Sequence, residues 1–195
     1  MTFKTLDFIL TIMSTLAAEA EAAAPWWKED LRSLDLGESK VEFDETHYPN
    51  GLNHDFIRED VSKHDRLAQY IGAEGKFESP EKRDIAANIE PIISMLKTSA
   101  NLTKESVVAD VGAGTGLLLK RFSEEAKEVV ALEISSDFRL YLQERIHTEE
   151  LSNVEVREST LVGLDLTAGS ADLAVMVDVY HHLEYVNYAR AMLYV

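Results

Sequence analysis

The chain has 195 residues, 46% of them hydrophobic, no cysteine, and a formal charge of −16 at pH 7. That length and apolar share suffice for one domain with a real core. Without thiols there is no disulfide framework, cysteine-ligated zinc or thiol nucleophile, and the acid excess disfavours a broad nucleic-acid face or docking on anionic lipid.

The N-terminus opens with Met1-Thr2-Phe3-Lys4, continues as a mostly apolar run from Leu6 to Ala18, and then alternates small residues with glutamate to Ala24. A basic start, an apolar centre and an Ala-x-Ala site such as Ala18-Glu19-Ala20 or Ala20-Glu21-Ala22 have the layout of a signal or targeting leader. The competing reading of residues 1–24 is an alanine-rich helix packed on the domain. The run is too short to cross a bilayer, so no integral membrane span is expected. The expected location is cytoplasmic or organellar.

Residues 25–80 show little periodicity and form an N-terminal extension, expected to be mostly helical or irregular. His47-Tyr48-Pro49-Asn50-Gly51 is a turn by its Pro and Asn-Gly content. Ser79-Pro80-Glu81 reads as a helix start, with serine as N-cap and proline in the first turn. Ile85, Ile89, Ile92, Ile93 and Leu96 recur at helical spacing, and Pro91 is expected to interrupt or kink that helix.

From residue 105 strands and helices alternate. Val107–Val111 reads as a buried strand and Leu117–Ala126 as a helix. Glu128–Ile134 is a second strand, followed by a helix that Ser135 or Ser136 caps and that carries Phe138, Leu140, Tyr141, Leu142 and Ile146. Asn153–Val156 is a third strand, and the stretch from Ser170 or Ala171 to Val177 is a fourth. This alternation predicts right-handed βαβ units in a parallel sheet.

The chemistry sits in Asp110-Val111-Gly112-Ala113-Gly114-Thr115-Gly116. Glycines between a strand and a helix allow a tight turn and let backbone approach a ligand. In an open α/β sheet, ligands bind at the carboxyl ends of the strands. A nicotinamide loop has Gly-x-Gly-x-x-Gly; here Gly116 falls one place early and Leu117 takes the later slot. Asp110 would face an anionic pyrophosphate badly, and it suits a ligand bearing an ammonium group. No Gly-Lys-Ser or Gly-Lys-Thr follows, which excludes a Walker loop. Glu133 ends the second strand at the spacing of an acid that accepts hydrogen bonds from ribose hydroxyls. His181 and His182 are adjacent, so their side chains diverge and do not chelate one metal. A structural or capping role and an acid–base role both remain open for them. No metal site is expected, and no catalytic residue is assigned.

Residues 105–184 resemble a class I, Rossmann-like S-adenosylmethionine-dependent methyltransferase. Val107 to Gly116 is similar to that family's first motif. Glu133 matches its ribose-binding acid, Leu151 to Glu155 resembles the lead into its third strand, and Gly169 to Asp178 resembles its fourth strand. The following Val179-Tyr180-His181-His182 resembles a UbiE-like, small-molecule subgroup. The resemblance implies an α/β fold with strand order 3-2-1-4 and S-adenosyl-L-methionine as cofactor. It implies that Asp110 holds the methionine end, that Gly112, Ala113, Gly114, Thr115 and Gly116 line the cofactor, and that Glu133 binds the ribose. Ile134 would pack on the adenine, Ser159 and Thr160 would lie where the family contacts adenine, and Asp178 would lie near the methionine end or the reacting methyl. Residues 40–80 would cover the acceptor pocket, with His47, His64 and Phe77 as candidates.

Residues 81–195 are thus expected to be a partial methyltransferase domain. Tyr185–Val195 reads as the start of the helix after the fourth strand, and the family's later strands are missing. The fourth strand is then expected as an open edge, covered by a partner or a homo-oligomer. The expected function is methyl transfer to a small-molecule acceptor, with no nucleic-acid partner. Two alternatives are an inactive cofactor-binding module or fragment that needs a partner, and a nicotinamide-dependent oxidoreductase.

Overall fold

The computed structural model describes residues 13–14, 53–57, 67–72, 74–160 and 163–182. Its strands are β1 (Met13–Ser14), β2 (Val107–Val111), β3 (Glu128–Glu133), β4 (Val154–Glu158) and β5 (Leu173–Val175). Its helices are α1 (His54–Ile57), α2 (Asp84–Ala87), α3 (Ile89–Ser99), α4 (Leu119–Glu125) and α5 (Ser136–Thr148), followed by a short 3-10 turn at Tyr180–His182. β2, β3, β4 and β5 are parallel neighbours in the spatial order β4-β3-β2-β5. This is the 3-2-1-4 order expected for the four parallel strands.

Side chains on a strand alternate between the two faces, and the core divides accordingly. Val108, Val129, Ala131, Leu173 and Val175 face one layer, where they pack against Ile92, Ile93 and Leu96 of α3, Leu119 and Phe122 of α4, and Leu142 of α5. Ala109, Val111, Val130, Leu132, Ala174 and Met176 face the other, against Leu164, Leu166, Val179 and Tyr180. The same alternation sends Asp110 and Glu133 toward the helix-bearing face. In the β2–β3 register Asp110 stands opposite Ala131, so Glu133 lies two residues further along the neighbouring strand on the same side.

Asn153 joins two layers just before β4. Its Nδ2 donates to the carbonyls of Ser123, Ala126 and Lys127 at 3.0, 3.3 and 3.4 Å, and its Oδ1 accepts from Ser123 Oγ at 2.6 Å. One side chain therefore satisfies the carbonyls that α4 leaves unpaired at its end. Asn153→Ala is expected to cost about 1–3 kcal/mol by stranding these groups. A denaturant titration would show the lower midpoint at unchanged slope.

Several sequence expectations need correction. Pro80 does not open a helix. Ser79 instead closes a turn, its carbonyl accepting from the amides of Lys82 and Arg83 and its hydroxyl bonding Glu81 at 2.9 Å. Helix begins at Asp84 and breaks at Asn88, whose Nδ2 donates to the Asp84 carbonyl at 2.6 Å. The helix expected to carry Ile85 to Leu96 is interrupted, as expected, but at Asn88, between α2 and α3. That is next to the Ala87 carbonyl, which the Pro91 ring would crowd in a continuous helix. Pro91 itself does not kink α3. It sits in the first turn, where the amide that proline lacks has no intrahelical partner anyway.

The β5 edge, expected to be open, is paired. Met13–Ser14 runs antiparallel to it, with Met13 opposite Ala174 and Ser14 opposite Leu173. These two residues are thus strand, where the sequence suggested a leader or an alanine-rich helix. An edge exposes unpaired amides and carbonyls that an extended segment can satisfy. The rest of residues 1–24, His47, His64 and Tyr185–Val195 lie outside the described residues. None of the described helices is long and apolar enough to cross a membrane.

Candidate functional site

A cleft opens over the carboxyl ends of the parallel strands. Its floor is the glycine loop. The amides of Gly112 and Ala113 donate to the Leu132 carbonyl at 2.8 and 3.0 Å, which folds the loop back across β3. Gly112 has φ +74°, and a Cβ there would come within 2.5 Å of Val179.

Glu133 fixes the next turn of the loop. Its Oε2 accepts from the Gly114 amide and its Oε1 from the Ser135 amide, both at 2.8 Å. Burial pushes its carboxyl above the usual range, and the amides of Ser135, Gly114 and Ile134 pull it back. The carboxylate therefore ties the loop to the N-terminus of α5 and still faces the cleft. Arg139 of α5 donates to the carbonyls of Glu133 and Ile134 at 3.0 and 2.6 Å, closing the end of β3.

Asp110 is only 4% exposed and lines the cleft. No hydrogen bond from the described residues reaches its carboxylate. Burial first, then the negative Glu133, push its pKa up to about 7, and Arg83 opposes both. A buried carboxylate without a donor is costly, and a cationic ligand group removes that cost.

The other expected residues divide. Ile134, Ser159, Thr160 and Asp178 line the cleft with Gly112, Ala113 and Gly114. Thr115 and Gly116 do not. The Thr115 carbonyl accepts from Arg145 of α5 at 2.9 Å, and Arg145 also holds Glu78 at 2.8 Å. At Gly116, φ is +80° and a Cβ would meet Leu142 at 2.7 Å. These two residues pack the loop against α5 instead of lining the cleft.

Sequence reading missed the roof. Phe77, one of the candidates, lines the cleft with Phe56 and Phe138, and Tyr70 packs against the three rings, with ring centroids 4.6–6.4 Å apart. The His182 ring stands edge-on to Phe56 at 5.5 Å, and the His182 carbonyl accepts from Asn53 at 2.7 Å. Arg83 was also missed. It bonds Asp178 through Nε at 3.2 Å and lies 4.8 Å from the centre of the Phe77 ring. Phe138 carried a sequence signal, five residues after Glu133 in the first turn of a capped helix. Asn53, Phe56 and Arg83 reach the cleft only through tertiary folding. Among the described residues no group of three or more His, Cys, Asp or Glu gathers as a metal site.

Residues 108–194 match the family model described as a methyltransferase domain. Over that stretch, somewhat under half of the chain, the sequence is similar to a methyltransferase domain. Ribosomal RNA small subunit methyltransferase A of Clostridium botulinum is 31% identical over 74 residues, covering 36% of this chain and 27% of that protein. An uncharacterized methyltransferase of a Geobacillus species is 29% identical over 103 residues, 53% of this chain and 45% of that protein. The chain thus spans less than half the length of these curated relatives. Among solved structures, the YcgJ protein of Bacillus subtilis overlays with a TM-score of 0.47 at 21% identity, covering 51% of this chain and 43% of that one. A SAM-dependent methyltransferase from Aquifex aeolicus overlays at 0.46 and 22% identity, covering 55% and 66%.

S-adenosylmethionine is the methyl donor of this domain class, and the methyltransferase cleft fits it. The unpartnered carboxylate of Asp110 matches the ammonium of a methionine moiety, and Glu133 offers further lone pairs where ribose hydroxyls would lie. The loop turns at Gly112 and Gly114 bring backbone to the cleft. Gly114 has φ +58°, and a Cβ there would stand in ordinary contact with Phe77 at 3.7 Å.

Proposed function

We propose that this chain transfers the methyl group of S-adenosylmethionine to a small-molecule acceptor. The lining of the cleft carries this reading. Among the described residues Arg83 is its sole lysine or arginine, and that arginine is paired with Asp178. A phosphate backbone would need several unengaged cations, whereas an aromatic roof over an acid-bearing floor suits a compact organic acceptor.

Bound there, the sulfonium supplies an electrophilic methyl whose transfer leaves a neutral thioether. The protein's share is placement. Asp110 attracts the amino-acid end, Glu133 orients the nucleoside, and Phe56, Phe77 and Phe138 exclude water above them. Alignment of this kind accounts for much of the acceleration in a bimolecular transfer.

The ribosomal RNA methyltransferase relative makes RNA the competing acceptor. Incubating the chain with methyl-labelled S-adenosylmethionine, a low-mass metabolite fraction and, separately, small-subunit ribosomal RNA distinguishes the two. Label in the low-mass fraction alone is the expected result. Label in RNA alone would overturn the small-molecule reading while keeping the methyltransferase one.

A further inference from the structure

Thr115 belongs to the glycine loop but turns away from the cleft, toward a side chain outside the loop motif. Its carbonyl accepts from Arg145 Nη1 at 2.9 Å. The same nitrogen donates to Glu78 Oε1 at 2.8 Å, and Nε donates to Glu149 Oε1 at 2.7 Å. One guanidinium nitrogen thus gives both of its hydrogens to elements remote from each other in sequence. The side chains of Arg145 and Glu78 are only 18% and 16% exposed, so water screens this pair less than it screens surface pairs.

Each end of the tie continues to the cleft. On one side, Glu78 directly follows Phe77. Its Oε2 accepts from the Gly72 amide at 3.2 Å, the Phe77 amide donates to the Tyr70 carbonyl at 3.1 Å, and the rings of Tyr70 and Phe77 lie 4.6 Å apart. On the other side, Gly112 and Ala113 hang on the Leu132 carbonyl and Gly114 on Glu133, both of β3. Thr115 hangs on Arg145, the anchor that connects the loop to the N-terminal segment. Neither Arg145 nor Glu78 lines the cleft. A change at Arg145 therefore removes no contact to a ligand, and its effect on binding passes through the roof and the loop.

We infer that Arg145 is a positioning residue that sets the Phe77 roof and the glycine loop in register, through Glu78 and the Thr115 carbonyl, so that roof and loop hold a ligand as one unit. This rests on the S-adenosylmethionine reading of the cleft. Groups that share one hydrogen-bonded network couple in their energetics. Without the tie the loop is held by β3 alone, and the spacing between Gly114 and Phe77, neighbours in the cleft, is no longer fixed from the Thr115 side.

The test is calorimetric titration of the full chain with S-adenosylhomocysteine, at a temperature where a thermal melt shows each variant folded. Arg145→Gln should weaken binding at least tenfold, about 1.4 kcal/mol. Arg145→Lys keeps a charged donor that reaches both partners and should recover most of that loss. Arg121→Gln is the control. Arg121 also joins acids of two helices, Glu90 of α3 and Glu125 of α4, but its bonds reach neither loop nor roof, so its loss should lower the melt and leave affinity unchanged. A double-mutant cycle reads the coupling itself: Phe77→Leu should weaken binding about fivefold in the unmutated chain and less than about twofold in Arg145→Gln. Equal factors in both backgrounds would show that roof and loop act separately and overturn the inference. So would unchanged affinity in a folded Arg145→Gln chain, which leaves Arg145 a stabilising tie alone, or a lysine variant that binds no better than the glutamine one. If Arg145→Gln does not fold, Glu78→Gln takes its place in the cycle, with the same readings. If the unmutated chain does not bind S-adenosylhomocysteine, the cofactor reading falls and this inference with it; the other contrary outcomes overturn the inference alone.

Discussion

Glu133→Gln is expected to lower affinity for S-adenosylhomocysteine about a hundredfold, roughly 2.8 kcal/mol, and to cost the fold about 1–3 kcal/mol. Both effects come from one geometry. The carboxylate accepts from Gly114 with one oxygen and from Ser135 with the other. A glutamine presents one oxygen and one NH₂, so one of the two amides faces a donor and loses its partner. The glycine loop then loses its tie to α5, and the nucleoside loses an acceptor that is charged and buried. Glu158 is the control. It stands opposite Glu133 in the β3–β4 register, but its side chain is 62% exposed and pairs with Arg139. Glu158→Gln should leave affinity unchanged, because exposed pairs contribute little. Calorimetry and a thermal melt read both variants. Unaltered binding and stability in Glu133→Gln would remove Glu133 from the site.

Asp110 should behave in the opposite way for stability. Its pKa of about 7 in the folded chain lies above the ordinary aspartate value near 3.9. A carboxyl with a raised folded pKa takes up a proton on folding, so its contribution is most favourable at low pH and is lost as pH rises from about 4 to about 7. Asp110→Asn removes that penalty and is expected to stabilise the unliganded fold at pH 8, on the order of a few kcal/mol. Ligand binding should run the other way. An ammonium group binds the ionised carboxylate, so affinity for S-adenosylhomocysteine should strengthen as pH rises through 7 and level off above it. The slope approaches tenfold per pH unit on the acid side. Glu133 and Arg83 also act on Asp110, the first holding its pKa up and the second holding it down, so Arg83→Gln should move the midpoint upward. Asp110→Asn should flatten the profile and weaken binding at pH 8 at least tenfold. A flat profile in the unmutated chain would contradict the assignment of Asp110 to the ammonium.

β2, β3 and β5 were legible because they are short apolar runs, and two-sided burial leaves that signature in any context, whereas β4 alternates valine with charged residues. Val107–Val111 has the bounds expected for it, and Ser135 caps α5 with its hydroxyl on the Phe138 amide, as a serine there should. Asp110, the Gly112–Gly114 turn and Glu133 were legible for a related reason. All lie within two βα units, so local spacing fixes their geometry. Thr115 and Gly116 belong to the same motif, but their direction depends on Leu142 and Arg145 of α5, which the motif does not encode. Most of the roof was illegible because Asn53 and Phe56 come from a segment with no period, and nothing in the helical spacing after Ser79 points Arg83 to the cleft; Phe77 was only one candidate among three. These residues meet Phe138 and His182 only after the chain crosses the sheet. β1 was hidden for the same reason, since two residues carry no alternation to read and the edge they pair with lies about 160 positions away in the sequence.

The most direct test of the central claim maps backbone amide shifts of the isotope-labelled chain during titration with S-adenosylhomocysteine. The account predicts micromolar binding, with the largest shifts at Gly112–Gly114, at Glu133–Ser135 and at Ser159–Thr160, and small ones at the opposite end of the sheet around Lys127 and Asn153. A folded chain that shows no shifts, or shifts centred away from the strand ends, would contradict it.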